Sequence, residues 1–256
     1  MAVDPGTVAE DDLNTNLLVF QFVQALTVLD GQSFLFLVVP MSRIEAEATM
    51  PGDGAPKSIS GFGDAQLGFV LGVHGTPSLS PADYGNHPPG LAVNLLAKIF
   101  FPTGKYSESR SINIGANRFA LRLGAPIVYA IGERMSDRQL MTVELMPTVT
   151  FYGKNEDPLG AEQTKQKPLF TLEGHLTRGF HENFWASLDL LWRRGGEVEV
   201  DGIDAGNFQS ALSLGATGTF ALSRRASLRL SYGGVVSRNE HGPNGWMARA
   251  ILGFVL

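Results

Sequence analysis

Charged and hydrogen-bonding side chains recur at alternate positions of several segments, opposite a face that carries almost no charge. Rings of charge and hydrogen-bonding groups select the permeants of channels, so such a set could form a selectivity constriction. The alternative is that these charges pair with one another across strands and fill a narrow interior, and the sequence leaves both possibilities open. The candidates are Lys98, Arg118, Arg122, Glu144, Glu173, His175, Asp189, Arg193, Arg229 and Arg249.

Glu173, His175 and Asp189 come nearest to a catalytic or metal-binding set. A lone histidine among polar residues is more often hydrated or hydrogen-bonded than catalytic. The sequence has no nucleophile elbow, zinc-binding histidine pair or phosphate loop. A membrane-embedded hydrolase would need a Ser–His pair at the outer rim, and neither His175 nor His181 fits that position. We therefore predict no enzyme activity, no metal and no cofactor.

Composition narrows the class of protein. The 256 residues carry a net charge of −5, only 18% charged residues, 30 glycines and no cysteine. An acidic balance argues against a nucleic-acid partner, which requires a basic face. The longest apolar candidate, residues 34–41, is too short for a helix that spans a membrane, which needs ~20 apolar residues. A β-barrel remains compatible with this composition.

Hydrophobic residues alternate with polar ones over many short segments. In the segment 141–152, for example, Met141, Val143 and Leu145 oppose Thr142 and Glu144. Side chains of a strand point alternately to its two faces, so each segment predicts a two-faced strand. About eleven such strands are visible, with no convincing amphipathic helix. A soluble barrel would have to bury these charges, whereas a membrane barrel turns its apolar face to lipid and its charges to a wet lumen.

Aromatic residues bracket the apolar stripes at both ends. Paired interfacial girdles of this kind are typical of transmembrane barrels. Closure into a barrel would also satisfy every backbone hydrogen bond, as lipid requires. The predicted girdle consists of Phe101, Phe119, Tyr129, Phe151, Phe170, Phe184, Trp192, Phe208, Phe220, Trp246 and Phe254.

Connections between the predicted strands alternate in length, as in barrels with short periplasmic turns and long outer loops. The 76–89 loop is the exception, because it is long on the short-turn side. The predicted fold is an all-β, antiparallel, up-and-down transmembrane barrel. Counting back from the C-terminus gives about eleven strands, and an even-stranded barrel needs one more, so we expect about twelve strands with the first one missing from this chain. The N-terminus shows no signal peptide. We expect residues 1–13 to be a truncated N-terminus that is disordered or a loop, and residues 14–256 to be one outer-membrane barrel domain. The long connections are 102–117, 153–168, 194–206 and 237–244; the short ones are 132–137, 179–183 and 222–226.

Four segments resemble one known family in order along the chain. They are GFGDAQLG at 61–68, PTGKY at 102–106, NIGANRF at 113–119 and GG…VDG within 195–202. The sequence resembles the outer-membrane β-barrel family of transporters of the meta-pathway of phenol degradation. The resemblance implies a Gram-negative outer-membrane barrel that passes aromatic or other apolar compounds.

These observations lead to one preferred function and one alternative. We expect a channel for small, apolar or aromatic compounds that diffuse passively through or beside a polar lumen. Its partners would be the lipid bilayer, the permeant and the outer-membrane assembly machinery. The alternative is a closed structural or adhesion barrel whose extracellular loops carry the function without transport.

Overall fold

A computed structural model describes residues 13–46 and 58–255. The described residues form sixteen strands and one short helix. In chain order these are β1 (Leu13–Val28), β2 (Gly31–Ala46), β3 (Ser58–Phe62), β4 (Gln66–His74), α1 (Pro81–Asn86), β5 (Leu91–Phe100), β6 (Ala120–Gly124), β7 (Ile127–Ile131), β8 (Met141–Tyr152), β9 (Thr164–Gln166), β10 (Leu169–His181), β11 (Phe184–Gly195), β12 (Val198–Val200), β13 (Ile203–Asp204), β14 (Gln209–Ala221), β15 (Ala226–Arg238) and β16 (Trp246–Phe254).

One antiparallel sheet contains thirteen of these strands. Its main path runs β1-β2-β4-β5-β6-β8-β10-β11-β14-β15-β16, so almost every strand pairs with its nearest neighbour in sequence. Strand β3 pairs with β2 beside β4, and β7 pairs with β5 and β8 beside β6. We call each strand that crosses the sheet from one end to the other a span. By this definition β3 and β4 form one interrupted span, and β6 and β7 form another. The sheet has eleven spans, which agrees with the number predicted from alternation.

The interruption between β6 and β7 lies at Ala125 and Pro126. The register continues across it, because Gly124 pairs with Thr148 and Ile127 pairs with Leu145 of β8. Proline has no N–H to donate to the ladder, so regular pairing stops at Pro126 and resumes one residue later. The interruption between β3 and β4 covers residues 63–65, and glycine within a strand pattern favours such a bend.

The two faces of the sheet differ sharply in character. On β10 and β11, Leu176 and Leu188 point to one face and are 46% and 66% exposed. On the other face the same strands carry Glu173, His175 and Asp189. Large apolar side chains are exposed in this way along the whole sheet, which a soluble protein rarely tolerates. We call these two sides the apolar face and the polar face.

The connections at one end of the strands are shorter than those at the other end. At the short-turn end, β10 joins β11 and β14 joins β15 through a few residues. At the long-loop end lie residues 101–119, 153–168 and 196–208. The predicted alternation of short and long connections is therefore present in the described strands. No helix in residues 13–46 or 58–255 has the length and apolarity to cross a membrane.

Some local predictions were wrong in detail. Asp30–Gly31, between two apolar runs, predicts the hairpin turn, but the two turn residues are Leu29 and Asp30, with φ of 51° and 62°. Positive φ at both positions gives the turn the twist that a two-residue hairpin needs. The predicted 76–89 loop contains α1, which Ser80 caps by accepting a hydrogen bond from the Asp83 N–H.

The predicted 153–168 and 195–206 loops contain strands of their own. Strands β9, β12 and β13 form a three-stranded sheet at the long-loop end. Segments of two or three residues give no alternation pattern, so the sequence did not reveal them. Residues 47–60 show little alternation and predict a further loop. Residues 47–57 lie outside the described residues, and residues 58–60 belong to β3.

A glycine on the polar face provides a test of the register. Gly68 of β4 pairs with Phe36 of β2, and a Cβ at Gly68 would overlap the Phe36 ring. We expect Gly68→Ala to lower the free energy of unfolding in lipid vesicles by about 1–3 kcal/mol, because overpacking forces the ring to move. Tryptophan fluorescence during urea titration measures this change.

Gly174→Ala is the matched control. Its added Cβ would have its nearest neighbour, Leu145 Cδ2, at 3.5 Å, which is an ordinary contact. We expect a change within about 0.5 kcal/mol for this control. Equal effects of the two substitutions would contradict the β2–β4 register.

Candidate functional site

The ten predicted channel-lining residues share the polar face. On β5 and β6, Lys98 lies directly opposite Arg122. Across the next strands, His175 of β10 pairs with Glu144 on one side and with Asp189 on the other. Alternation alone was enough to place these residues, because every position two residues along a strand returns to the same face. Glu173, Arg193, Arg229 and Arg249 follow the same parity, and Arg118 lies just before β6.

The polar face curves around an open cavity. One cavity of about 750 Å³ is lined by Glu144 of β8, Asp189 of β11 and Arg249 of β16. Strands β8 and β16 are separated by four other strands of the sheet, so the sheet curls with its polar face on the concave side. This cavity lies toward the short-turn end, where Asp137 and Arg138 of the β7–β8 connection complete its lining.

A basic and aromatic cluster occupies the polar face nearer the long-loop end. Lys98 Nζ lies 4.8 Å and Arg122 Cζ 5.6 Å from the centre of the Phe100 ring. Lys98 also donates to Gln66 Oε1 at 3.1 Å, and Arg122 Nε donates to Thr150 Oγ1 at 2.9 Å. Like charges directly opposite each other on a sheet are destabilising, and ring faces offset part of that cost.

Arg118 extends this cluster toward the outer loops. Its guanidinium lies 5.1 Å from the centre of the Tyr152 ring, and its Nη2 donates to Gln166 Oε1 at 2.5 Å. Gln166 in turn donates to the Gly196 carbonyl. The last residues of the 101–119 loop are thus tied to the small sheet of the long-loop end.

Asp189 is the centre of a second, hydrogen-bonded cluster. Its Oδ1 accepts from Ser187 Oγ at 2.6 Å and contacts His175 Nδ1 at 2.7 Å. Its Oδ2 accepts from Thr217 Oγ1 at 2.6 Å, and Ser231 Oγ lies 2.9 Å from the same Thr217 hydroxyl. Hydrogen bonds to an ionised carboxylate are among the stronger ones, so this network fixes the His175 ring.

The cations of the polar face interact mainly with neutral groups. Within the residues that the structure describes, no carboxylate lies within 4.0 Å of Lys98, Arg122, Arg193, Arg229 or Arg249. Six of the ten predicted residues are basic, three are acidic and one is histidine. His175 and Asp189 pair across strands at 2.7 Å, whereas the five cations above have no carboxylate partner, so the alternative accounts for only part of these charges. Basic residues outnumber acidic ones among the ten, although the cavity itself is lined by carboxylates as well as arginines.

Aromatic and apolar residues of the polar face were not found from the sequence. Phe100, Tyr152 and Trp185 carry cations over their rings, with Arg229 Cζ 5.1 Å from the centre of the Trp185 ring. On β2, Phe36 and Val38 also share this face. The sequence could not assign β1 and β2, because both parities there are apolar. The polar face is therefore charged from β5 to β16 and more apolar on β2.

Two charged loop residues have shifted pKa values with clear causes. Hydrogen bonds to Asp204 and Glu197 raise the pKa of Lys167 at the long-loop end. At the short-turn end, backbone N–H groups of Gln139 and Glu133 lower the pKa of Asp137. A depressed carboxyl pKa stabilises the folded turn above the unfolded pKa, and this contribution is lost as the pH falls through the folded pKa.

The predicted girdle residues lie on the apolar face in two bands. At the long-loop end, Phe101 and Phe119 have ring centres 6.0 Å apart, and Phe170 and Trp192 have theirs 5.6 Å apart. At the short-turn end Phe184 and Phe220 are 4.8 Å apart. Tyr129, Phe151, Phe208, Trp246 and Phe254 are also exposed on this face or at its rim.

Replacement of the central carboxylate tests the Asp189 cluster. Asp189→Asn removes the charge that three donors share and turns an N–H group toward some of them. We expect the free energy of unfolding in vesicles to fall by about 2 kcal/mol, since hydrogen bonds to charged groups are worth more than neutral ones. Glu144→Gln is the control, because Glu144 is a carboxylate of the same face that accepts a hydrogen bond from the Thr142 hydroxyl and is not the centre of a network. An equal loss in both variants would argue against a special role for Asp189.

Comparisons with known proteins agree on fold and family. The fold is similar to the crystal structure of the COG4313 outer membrane channel from Pseudomonas putida F1, with a TM-score of 0.76 and 18% sequence identity. The match covers 94% of this chain and 82% of that channel. It confirms the predicted antiparallel barrel fold. No protein with a curated description matches the sequence. Residues 2–246 match the family described as "Putative MetA-pathway of phenol degradation", and the chain belongs to this family.

Proposed function

We propose that this protein is an outer-membrane channel whose polar face lines the path of the permeant. The observation that carries the proposal is the inverted arrangement of the sheet. Apolar side chains are exposed on the convex side, and charged side chains line the concave side. A bilayer would cover the first surface, and water with a permeant would cover the second. The similarity to a solved outer membrane channel supports this assignment.

The location follows from the same surfaces. A Gram-negative outer membrane would receive the strands as a barrel inserted by its assembly machinery, with the long loops outside. The two aromatic bands would lie at the two interfaces, where amphipathic rings are favoured. The lipid bilayer is therefore the main partner in this proposal.

We infer that the permeants are small apolar or aromatic compounds that move by passive diffusion. The family description refers to phenol degradation, which supports aromatic permeants. The polar face supports them as well, because it carries Phe36 and Val38 on β2 and charged side chains on β10 and β11. A molecule with an apolar ring and a polar or anionic substituent would find complementary groups on this face.

A closed structural or adhesion barrel is the second candidate. Residues 111–115 of the 101–119 loop are buried at the long-loop end, and a loop packed in this position favours a closed barrel. A closed barrel would show no conductance in a planar bilayer, whereas a channel would. This difference separates the two functions directly.

Ion selectivity tests the channel and its charged lining together. In a planar bilayer with a salt gradient, we expect the protein to conduct and to prefer anions, because cations without carboxylate partners line the path. Lys98→Gln, Arg122→Gln and Arg193→Gln combined should move the reversal potential toward zero. The charge dependence should weaken at high salt, since screening lengths fall to about 3 Å at 1 M.

A matched triple variant controls for the loss of positive charge in general. Arg43, Lys154 and Arg224 lie outside the polar face of the spans, so their replacement by glutamine should leave the reversal potential unchanged. The absence of conductance in the parent protein would contradict the channel. Equal shifts in both triple variants would contradict the assigned path.

A further inference from the structure

Three of the sequence segments that carry the family resemblance meet at one side chain. Asp64, in the 61–68 segment, accepts a hydrogen bond from the Gly104 N–H at 2.9 Å through Oδ1. Its Oδ2 accepts from the Ala116 N–H at 2.8 Å. Gly104 belongs to the 102–106 segment and Ala116 to the 113–119 segment. One carboxylate therefore joins the beginning and the end of the 101–119 loop.

Two glycines allow the backbone at the two ends of the loop to approach closely at this junction. A Cβ on Gly104 would lie 2.6 Å from the Cα of Gly115, and a Cβ on Gly115 would lie 2.7 Å from the Gly104 carbonyl carbon. Real Cβ atoms do not approach backbone atoms so closely, so both positions require glycine. The adjacent Lys105 backbone adds to the junction, because its carbonyl accepts from Ile114 N–H and Gly115 N–H.

The loop folds back onto the polar face instead of projecting from it. Its residues 111–115 are all buried. Ile112 and Ile114 pack in one apolar cluster with Ile44 of β2 and Ile59 of β3. Ile44 shares the parity of Phe36, so it points to the concave side of the sheet. The 101–119 loop thus lies inside the long-loop end.

The loop is also fixed on its other side. Tyr106 Oη donates to the Asp157 carbonyl at 2.7 Å and accepts from Asn155 Nδ2 at 2.8 Å. Asn117 Nδ2 donates to Asn155 Oδ1 at 2.9 Å. The loop therefore reaches from the β2–β3 wall to the 153–168 connection that follows β8.

We propose that the 101–119 loop is the constriction that limits which molecules pass, and that Asp64 is the positioning residue that holds it there. This inference rests on the proposed channel function and names the element that sets its size limit. Asp64 acts by fixing both ends of the loop, and the buried isoleucines hold the middle against the wall. The loop then narrows the outer mouth next to the basic cluster of Lys98 and Arg122.

Cysteine labelling tests the position of the loop without a permeant. The protein has no cysteine, so Val38→Cys would provide one reactive thiol on the concave side, two residues from Pro40. The Pro40 carbonyl accepts a hydrogen bond from the Gly63 N–H at 2.8 Å, and a Cβ placed on Gly63 would lie 3.6 Å from Ile114 Cγ2 of the loop. A bulky polyethylene-glycol maleimide added to intact cells should label this thiol slowly. With Asp64→Asn, which loses one acceptor and its charge, we expect labelling to become several-fold faster.

Asp201→Asn is the matched control. Asp201 Oδ1 accepts from the Glu162 and Gln163 N–H groups at 3.0 and 2.8 Å, so it joins two other loops by the same kind of contact. Labelling of Val38→Cys should be unchanged in this background. Equal acceleration in both backgrounds, or none in either, would overturn the role of Asp64.

Three further measurements distinguish a failure of this inference from a failure of the proposed channel function. Asn244→Cys, in the exposed β15–β16 loop, should label rapidly in every background, and failure there would overturn the assigned orientation of the barrel.

If Asp64→Asn does not assemble, Ile114→Ala should release the loop by removing its apolar contact and give the same acceleration. Conductance should rise in Asp64→Asn over the parent. A conducting parent with unchanged conductance and labelling in Asp64→Asn and Ile114→Ala would overturn the constriction alone.

Discussion

The exposure of apolar side chains on one whole face of the sheet is the constraint on which the rest of the structure depends. Leu188 and Phe22, from opposite ends of the chain, are both more than half exposed on that face. Water would penalise this surface by ~25 cal/mol for every Å² of apolar area, whereas a lipid bilayer removes the penalty. Once the apolar face is assigned to lipid, the charged residues must lie on the concave side, and the connections must lie beyond the two interfaces.

The concave side combines two kinds of polar structure. Asp189 receives three hydrogen bonds and belongs to a rigid network around His175. Lys98 and Arg122 lie opposite each other and interact with amide, hydroxyl and ring groups. A cation without a carboxylate partner keeps its attraction for a passing anion, while a satisfied carboxylate has little left to offer. This difference gives the lining a positive character although the protein as a whole carries a net charge of −5.

Alternation in the sequence was sufficient to predict most of the spans and to assign nine of the ten candidate residues to one face, since each strand repeats with a period of two. Arg118 lies in the loop before β6, where no such period exists. Alternation failed where that period is missing. Strands β1 and β2 are apolar on both parities, and β9, β12 and β13 are too short to show one. The Asp64 junction was also missed. Its partners lie 40 and 52 residues away along the chain, and they donate through backbone N–H groups, which do not depend on the residue type. The sequence indicated only that the segments around it matched a family pattern.

Fractionation of cells that express the protein tests the central claim most directly. Each sample of the membrane fraction would be split and run on a denaturing gel with and without boiling. The account predicts protein in the outer membrane that changes its migration on heating, because a lipid-facing barrel stays folded in detergent until it is boiled. Soluble protein in the periplasm or cytosol would contradict the account, since the exposed leucines and aromatic bands would then have no lipid to cover them.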